Sequence, residues 1–332
     1  MDIKMHSIAK KLAYLRREYF ILLLLAVIML LMYAGNSKFF TFYNLQSIIV
    51  NNFEIGLISV IMTCVILTGG IDISVGSVVG LAGMVLGICY VQLGISLVGS
   101  IALGLLAGSL VGLLNASVIV SLDADPLVVT LGSLVLFRAI SRLLTEGWPV
   151  SGFPSSFMLL SHGTLLGLGF PIYVFFLSIL LAHFVLNRTV AGQNIYSIGN
   201  NKDAAYYCGV PVKKTKFIIY LLCGFISAVS GIFLTSRLVT AQTDAGSSID
   251  LQAIAAVVIG GTDIFGGEGT IVGTMLGFLI IAVIKNGCNL MGIDPLVQTI
   301  IFGIILIFTI WVNNTLKRRR SWELATLKEE KK

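Results

Sequence analysis
The sequence reads as an all-α polytopic membrane helix bundle of about ten spans with an internal repeat. Three observations point there: an extreme apolar composition, long unbroken aliphatic runs, and two phrases that recur in the same order. Of 332 residues, 57% are hydrophobic and 11% charged, and mean hydropathy is +0.97. A soluble domain averages about 25% charged and needs polar surface to cover a core of this size. An ordinary cytosolic enzyme, a nucleic-acid binder and a disordered chain are therefore excluded. Strands of an outer-membrane barrel alternate apolar and polar residues. These runs are continuous, so the spans are helices.

One span takes roughly 20 residues. Apolar runs, divided at Gly, Pro and charge breaks, predict helices at 18–34, 46–68, 72–93, 95–121, 126–145, 169–187, 216–239, 249–262, 269–289 and 295–314. That leaves one transmembrane domain over 1–332 and no stretch for a soluble catalytic domain. Lys10, Lys11, Arg16 and Arg17 before the run Phe20 to Tyr33 have the form of a signal peptide. The many spans that follow favour an uncleaved first span.

Basic residues mark the cytoplasmic side. They gather in the tail 1–17 (Lys4, Lys10, Lys11, Arg16, Arg17), the loop 187–216 (Arg188, Lys202, Lys213, Lys214, Lys216) and the tail 315–332 (Lys317, Arg318, Arg319, Arg320). Placing all three in the cytoplasm requires an even number of spans on each side of the middle loop, which six plus four satisfies. The segment Glu146 to Pro171 then lies outside. The net charge of +6 belongs to these segments and is no nucleic-acid signal. Cys64, Cys89, Cys208, Cys223 and Cys288 are scattered and form no CxxC, which reads as unpaired, inert thiols.

Gly69-Gly70-Ile71-Asp72-Ile73-Ser74-Val75-Gly76 is echoed by Gly260-Gly261-Thr262-Asp263-Ile264-Phe265-Gly266-Gly267. Asp125-Pro126-Leu127-Val128-Val129-Thr130 is echoed by Asp294-Pro295-Leu296-Val297-Gln298-Thr299. The offsets, 263 − 72 = 191 and 294 − 125 = 169, differ by 22 residues, so the first half carries about one extra helix. Such internal symmetry is a mark of transport proteins, with the solute path between the halves. Glycines spaced by four, such as Gly104/Gly108/Gly112 and Gly269/Gly273/Gly277, let helix backbones approach closely.

Asp72 and Asp263 stand between apolar runs, each after a Gly-Gly pair. They either cap the next helix or mark broken elements beside a polar path. On the path reading the candidates are Gly70, Asp72, Ser74, Asn115, Gly261, Asp263 and Gln298. Asn115, Thr130, Asn286, Asn289 and Gln298 equally suit hydrogen bonds between helices. No His/Cys/Asp cluster has metal-ligand spacing, no Ser-His-Asp set is legible, and no G-x-x-x-x-G-K-[ST] phosphate loop exists. No catalytic residue, metal or cofactor is expected; any ATP would be bound by a partner chain. In the loop 187–216, a turn is expected first, then a helix from Asn201 to Cys208 ending at Gly209. This is a surface helix or a knob that docks in another protein's groove.

Asp203-Ala204-Ala205-Tyr206-Tyr207-Cys208-Gly209 resembles the EAA-x-x-x-G coupling loop of ABC importer permeases, with Asp in place of Glu. Thr68 to Ser77, Asp125 to Gly132 and Ala255 to Thr262 resemble the ribose-type branch of that family, whose permeases serve ribose, xylose, arabinose, rhamnose, galactose and autoinducer-2. The likeness covers about residues 45 to 315. It implies a ten-span inner-membrane permease, not itself an enzyme, that pairs with a second copy or a paralogue. It implies an ABC ATPase on the cytoplasmic face and a periplasmic or lipid-anchored binding protein that delivers a small sugar. It places Asp203, Ala204, Ala205 and Gly209 in the ATPase-coupling loop. An ion-coupled secondary transporter of a small neutral solute is the alternative, with Asp72 and Asp263 as its only buried carboxylate candidates.

Overall fold
The computed structural model describes residues 2–294, 296–305 and 307. The helices are α1 (Asp2–Gly35), α2 (Phe42–Val50), α3 (Phe53–Leu67), α4 (Val75–Gly87), α5 (Leu97–Ser121), α6 (Pro126–Leu143), α7 (Ser155–His162), α8 (Phe170–Arg188), α9 (Val190–Asn200), α10 (Lys202–Tyr207), α11 (Val212–Leu238), α12 (Ile249–Ile259), α13 (Ile271–Leu290) and α14 (Leu296–Ile305). The only strands among the described residues are two-residue pairs: β1 (Val150–Ser151) with β4 (Thr240–Ala241), and β2 (Thr164–Leu165) with β3 (Leu168–Gly169).

Among the described residues, seven helices are long and apolar enough to cross a membrane. An eighth span results if α2 and α3, bent by 51° at their junction, count as one. Two expected spans differ. The 249–262 run holds only the 11-residue α12, about 16 Å at 1.5 Å per residue and too short to cross by itself. The 295–314 run is described only through α14, and its remainder, like the basic tail 315–332, lies outside the described residues. The expected turn at the start of the 187–216 loop is instead helix α9, capped where Thr189 Oγ1 accepts from the Gly192 N–H at 3.4 Å.

α3, α4, α11, α12 and α13 form the interior, and α3 is buried along its whole length. α1 seats on α13: Thr270 Oγ1 donates to Glu18 at 2.8 Å and Asn36 Nδ2 to the Leu290 carbonyl at 3.3 Å. α5 packs on α11 backbone to backbone, with Gly108 and Gly112 facing Gly224. The described cysteines are free; all but Cys208 are buried.

The repeat is visible in the geometry. α3, a glycine turn and α4 correspond to α12, a glycine turn and α13. Asp125 then opens α6 and Asp294 opens α14, their carboxylates accepting from Leu127 N (2.8 Å) and Leu296 N (2.7 Å). The extra helix of the first half is α5. The helix-ending glycines with positive φ are Gly69 (+77°) and Gly261 (+92°), one residue out of the sequence register. Each closes a turn in which the next N–H reaches back five residues, Gly70 to Val65 and Thr262 to Val257.

A Cβ on Gly224 would sit 2.6 Å from the Gly112 Cα. Alanine is otherwise favoured over glycine inside a helix by about 1 kcal/mol. Gly224→Ala should therefore lower the thermal unfolding midpoint in detergent, while Gly303→Ala, whose Cβ would meet nothing, should not.

Candidate functional site: the glycine breaks and the helix beneath them
The two glycine turns meet. The Gly267 N–H donates to the Leu67 carbonyl at 3.0 Å, joining the second break to the end of α3. At the first break Asp72 is buried and accepts from the Ser74 N–H (2.9 Å) and hydroxyl (2.6 Å). Asn115 of α5 donates to Ser74 Oγ at 2.9 Å and accepts from Ser133 of α6. Thr130 of α6 accepts from the Ile73 N–H and donates to the Pro126 carbonyl at 2.8 Å. The chain Asp72–Ser74–Asn115–Ser133 thus ties three helices around a break, with its polar groups engaged in protein.

At the second break Asp263 accepts from the Phe265 N–H at 3.0 Å, and its own N–H donates to the Glu268 carbonyl at 2.8 Å. Asp72 and Asp263 therefore bond in the same way, each to the amide two residues on, as turn-capping residues do. Gln298 stands apart, donating to Asn289 (2.8 Å) and the Ile293 carbonyl (2.9 Å) at the α13–α14 joint. Asn44 and Asn286 form a reciprocal amide pair at 3.0 and 2.9 Å. The structure thus gathers Asp72, Ser74 and Asn115 in one network, leaves Gly70 in the helix-closing turn beside it, sets Phe265–Gly267 of the second break against Leu67 and Gly69 rather than Gly261 and Asp263 against the network, and leaves Gln298 outside.

Below the breaks lies α9. Tyr196 Oη donates to the Gly269 carbonyl at 2.9 Å. Gly199 presses against the Leu67 carbonyl and the Gly267 amide, where a Cβ has no room. α10 follows, opened by Asn201, whose side chain accepts from the Ala204 N–H at 2.9 Å. It closes at Gly209, whose φ of +81° is one an L side chain resists. Lys202 Nζ donates to Asp123 of the α5–α6 turn at 2.7 Å, and this contact holds the Asp123 carboxyl below the ordinary aspartate range. Ala205 is buried against Ile198 and Val212, so it seats α10 on α9 and α11. The outward face is Asp203, Ala204, Tyr206 and Tyr207, the two rings 67% and 86% exposed and edge-on at 5.8 Å.

The chain matches, over residues 44–310, the sequence profile of a family described as branched-chain amino acid transport system / permease component. The chain belongs to this family. The autoinducer 2 import system permease protein LsrD of Photorhabdus temperata is 39% identical over 264 residues, which cover 77% of this chain and 78% of that protein. The LsrD protein of Yersinia enterocolitica is 38% identical over 264 residues, covering 77% of this chain and 79% of its own. No solved structure matches. The permease is of the ribose-type ABC branch that its motifs resemble.

Sequence reasoning passed over three charges inside the permease's helices, Glu54 buried and Arg237 and Lys285 half-buried. Arg237 of α11 donates to Glu54 of α3 at 2.9 Å and to the Asn51 carbonyl at 2.8 Å. It thereby satisfies a carbonyl at the bend between α2 and α3 while pairing with a buried carboxylate. Lys285 of α13 lies 3.5 Å from Gln252 Oε1. A charge standing alone in an apolar run was the available signal. Tyr206 and Tyr207 were also missed, because exposure cannot be read from a six-residue pattern.

If Asp72 serves as acceptor for Ser74, Asp72→Asn should keep the fold. Asp72→Leu should lose about 1–3 kcal/mol, the cost of leaving buried donors unmatched. Thermal melting of the two purified variants compares them directly.

Proposed function
We propose that the chain is the membrane subunit of an ATP-driven importer for a small neutral sugar-like solute, autoinducer-2 or a ribose-like monosaccharide. The observation that carries this reading is the family match over most of the chain, with relatives named as autoinducer 2 import permeases. The sequence supports the division of labour. It holds no phosphate loop, so ATP is bound by a separate ABC ATPase and the permease itself needs no cofactor. A binding protein, periplasmic or lipid-anchored, delivers the solute, and a second permease, identical or paralogous, completes the assembly. The three basic segments favour a multi-pass cell (inner) membrane protein with both termini cytoplasmic.

α10 is the coupling helix in this account. Its exposed face, with Asp203, Ala204 and the two tyrosines, fits a groove on the ATPase. Ala205 and Gly209 hold that face in place. A push on α10 reaches the Gly69–Gly76 and Gly260–Gly267 turns through α9, since Gly199 and Tyr196 bear on them. Those turns are the moving parts beside the path.

Co-purification from native membranes in mild detergent tests the assembly: an ABC ATPase should come down with the tagged permease, and uptake in reconstituted vesicles should need ATP. Tyr207→Asp should abolish ATPase capture and uptake while leaving membrane insertion and melting unchanged. Ala205→Asp should lose uptake and also lower the melting midpoint, because it buries a charge under α10. Isolation of the permease without any ATPase, with uptake driven by an ion gradient, would overturn the reading in favour of a secondary transporter.

A further inference from the structure
The twin glycine breaks are capped alike and differ in what they expose. Asp72 and Asp263 each accept from the amide two residues on, that of Ser74 and that of Phe265. Ser74 is 1% exposed and is bonded into the network at the first break. Phe265, its counterpart in the repeat, is 67% exposed. The second turn is also longer. Asp72 lies 75 − 72 = 3 residues before the start of α4, whereas Asp263 lies 271 − 263 = 8 residues before the start of α13. The longer turn doubles back through Gly266 and Gly267, at φ of +94° and +79°. Its backbone is fixed: the Gly266 N–H donates to the Asp263 carbonyl and the Gly267 N–H to the Leu67 carbonyl, both at 3.0 Å. A lone exposed apolar side chain is ordinary on a protein surface. A ring held outward on a stiff turn, where the repeat twin buries a serine, is not.

The ring stands at the end of the bundle that carries α10. A Cβ on Gly267 would lie 3.1 Å from Asn200 Cα, and the next residue, Asn201, caps α10. Phe265 is 267 − 265 = 2 residues from Gly267, and Tyr206 is 206 − 200 = 6 residues from Asn200. Connectivity alone therefore keeps Phe265 within about 25 Å of Tyr206. Its surroundings are charged. Asp263 and Glu268 of the same turn are half-buried, and Lys202 and Asp123 form an exposed ion pair beside α10. Charge is costly in hydrocarbon, so this end of the molecule meets water or protein. With Tyr206 and Tyr207 the ring makes an exposed aromatic set, and aromatic side chains are enriched at protein–protein interfaces.

We propose that Phe265 is a second anchor for the ATPase, seated in the same interface as the outward face of α10. The inference rests on the importer reading and extends its docking surface from the coupling helix to the second glycine break. A standard interface buries about 800 Å² on each partner, a patch roughly 30 Å across. A partner seated on Tyr206 and Tyr207 therefore spans the distance to Phe265. A ring already held in place by its turn fills a partner's pocket at little cost in entropy. The two breaks are then driven differently. The ATPase holds the second break directly and reaches the first through α9.

The test is thiol labelling in a Cys208→Ser background, on permease in lipid nanodiscs with and without its co-purified ATPase. Phe265→Cys and Tyr207→Cys should react with a membrane-impermeant maleimide in the permease alone and be shielded in the complex. Leu166→Cys, 92% exposed in the β2–β3 hairpin at the far end of α8, should react equally in both. Titrated with ATPase, Phe265→Asp should bind about tenfold more weakly, the loss of one anchor ring, with its melting midpoint unchanged. Phe265→Ser takes its place if the aspartate variant fails to insert. Phe265→Cys that reacts equally fast with the ATPase bound, or that does not react in the permease alone, overturns the proposal. Unchanged affinity of Phe265→Asp does the same. Shielding at Tyr207 with none at Phe265 overturns this proposal and leaves the importer reading standing. A native-membrane preparation that holds no ATPase overturns the importer reading and this proposal with it.

Discussion
Inside a bilayer a peptide group that leaves a helix must find a partner in the protein, because neither lipid nor water will serve it there. The fold is organised around that constraint. Among the described residues its interruptions include the bend at Asn51–Asn52, the glycine turns after α3 and after α12, and the irregular stretch 239–248. Each is met by a specific device. Arg237 reaches across from α11 to the Asn51 carbonyl. Thr130 accepts the Ile73 N–H at the first turn. The Gly267 N–H takes the Leu67 carbonyl. The 239–248 stretch lies in a trough made by the glycines of α4. Small residues on α4, α5 and α13 are thus the means by which backbone meets backbone.

In the importer proposed above, the same contacts act as a lever. Since the two glycine turns are bonded to each other and both bear on α9, they form one unit with the helix that leads into α10. α10 is held at its start by Lys202 on Asp123 and underneath by Ala205. Displacement of α10 by a partner therefore cannot be absorbed locally without breaking buried contacts. Packed interiors of this kind switch between discrete arrangements rather than deforming smoothly. That property is what a transport cycle driven from the cytoplasmic side needs.

Much of this was legible in the sequence. The helix expected from Asn201 to Cys208 and ending at Gly209 is α10, Lys202–Tyr207, with Asn201 as its cap and Gly209 at positive φ. The recurrence of Gly-Gly-x-Asp and Asp-Pro pointed to matched turns, and the 22-residue difference in offset to the extra helix α5. α9 was not legible: Gly192, Asn194, Ser197 and Gly199 are poor helix formers, and its helix is held by packing beneath α3. Hydropathy predicts a whole span over 249–262 because it does not distinguish lipid from apolar protein as surroundings. Asp72 and Asn115 drew attention as polar residues at depth, yet the structure engages them in bonds between helices.

In the proposed transport cycle α10 and the glycine turns move as one unit through α9. Gly199 is the point of closest contact, so ATP hydrolysed per solute transported by reconstituted Gly199→Ala permease tests it most directly. ATPase binding and hydrolysis should persist while uptake falls about tenfold or more, within the range of a typical coupling energy. An unchanged ratio of ATP to solute in a well-folded Gly199→Ala variant would contradict it.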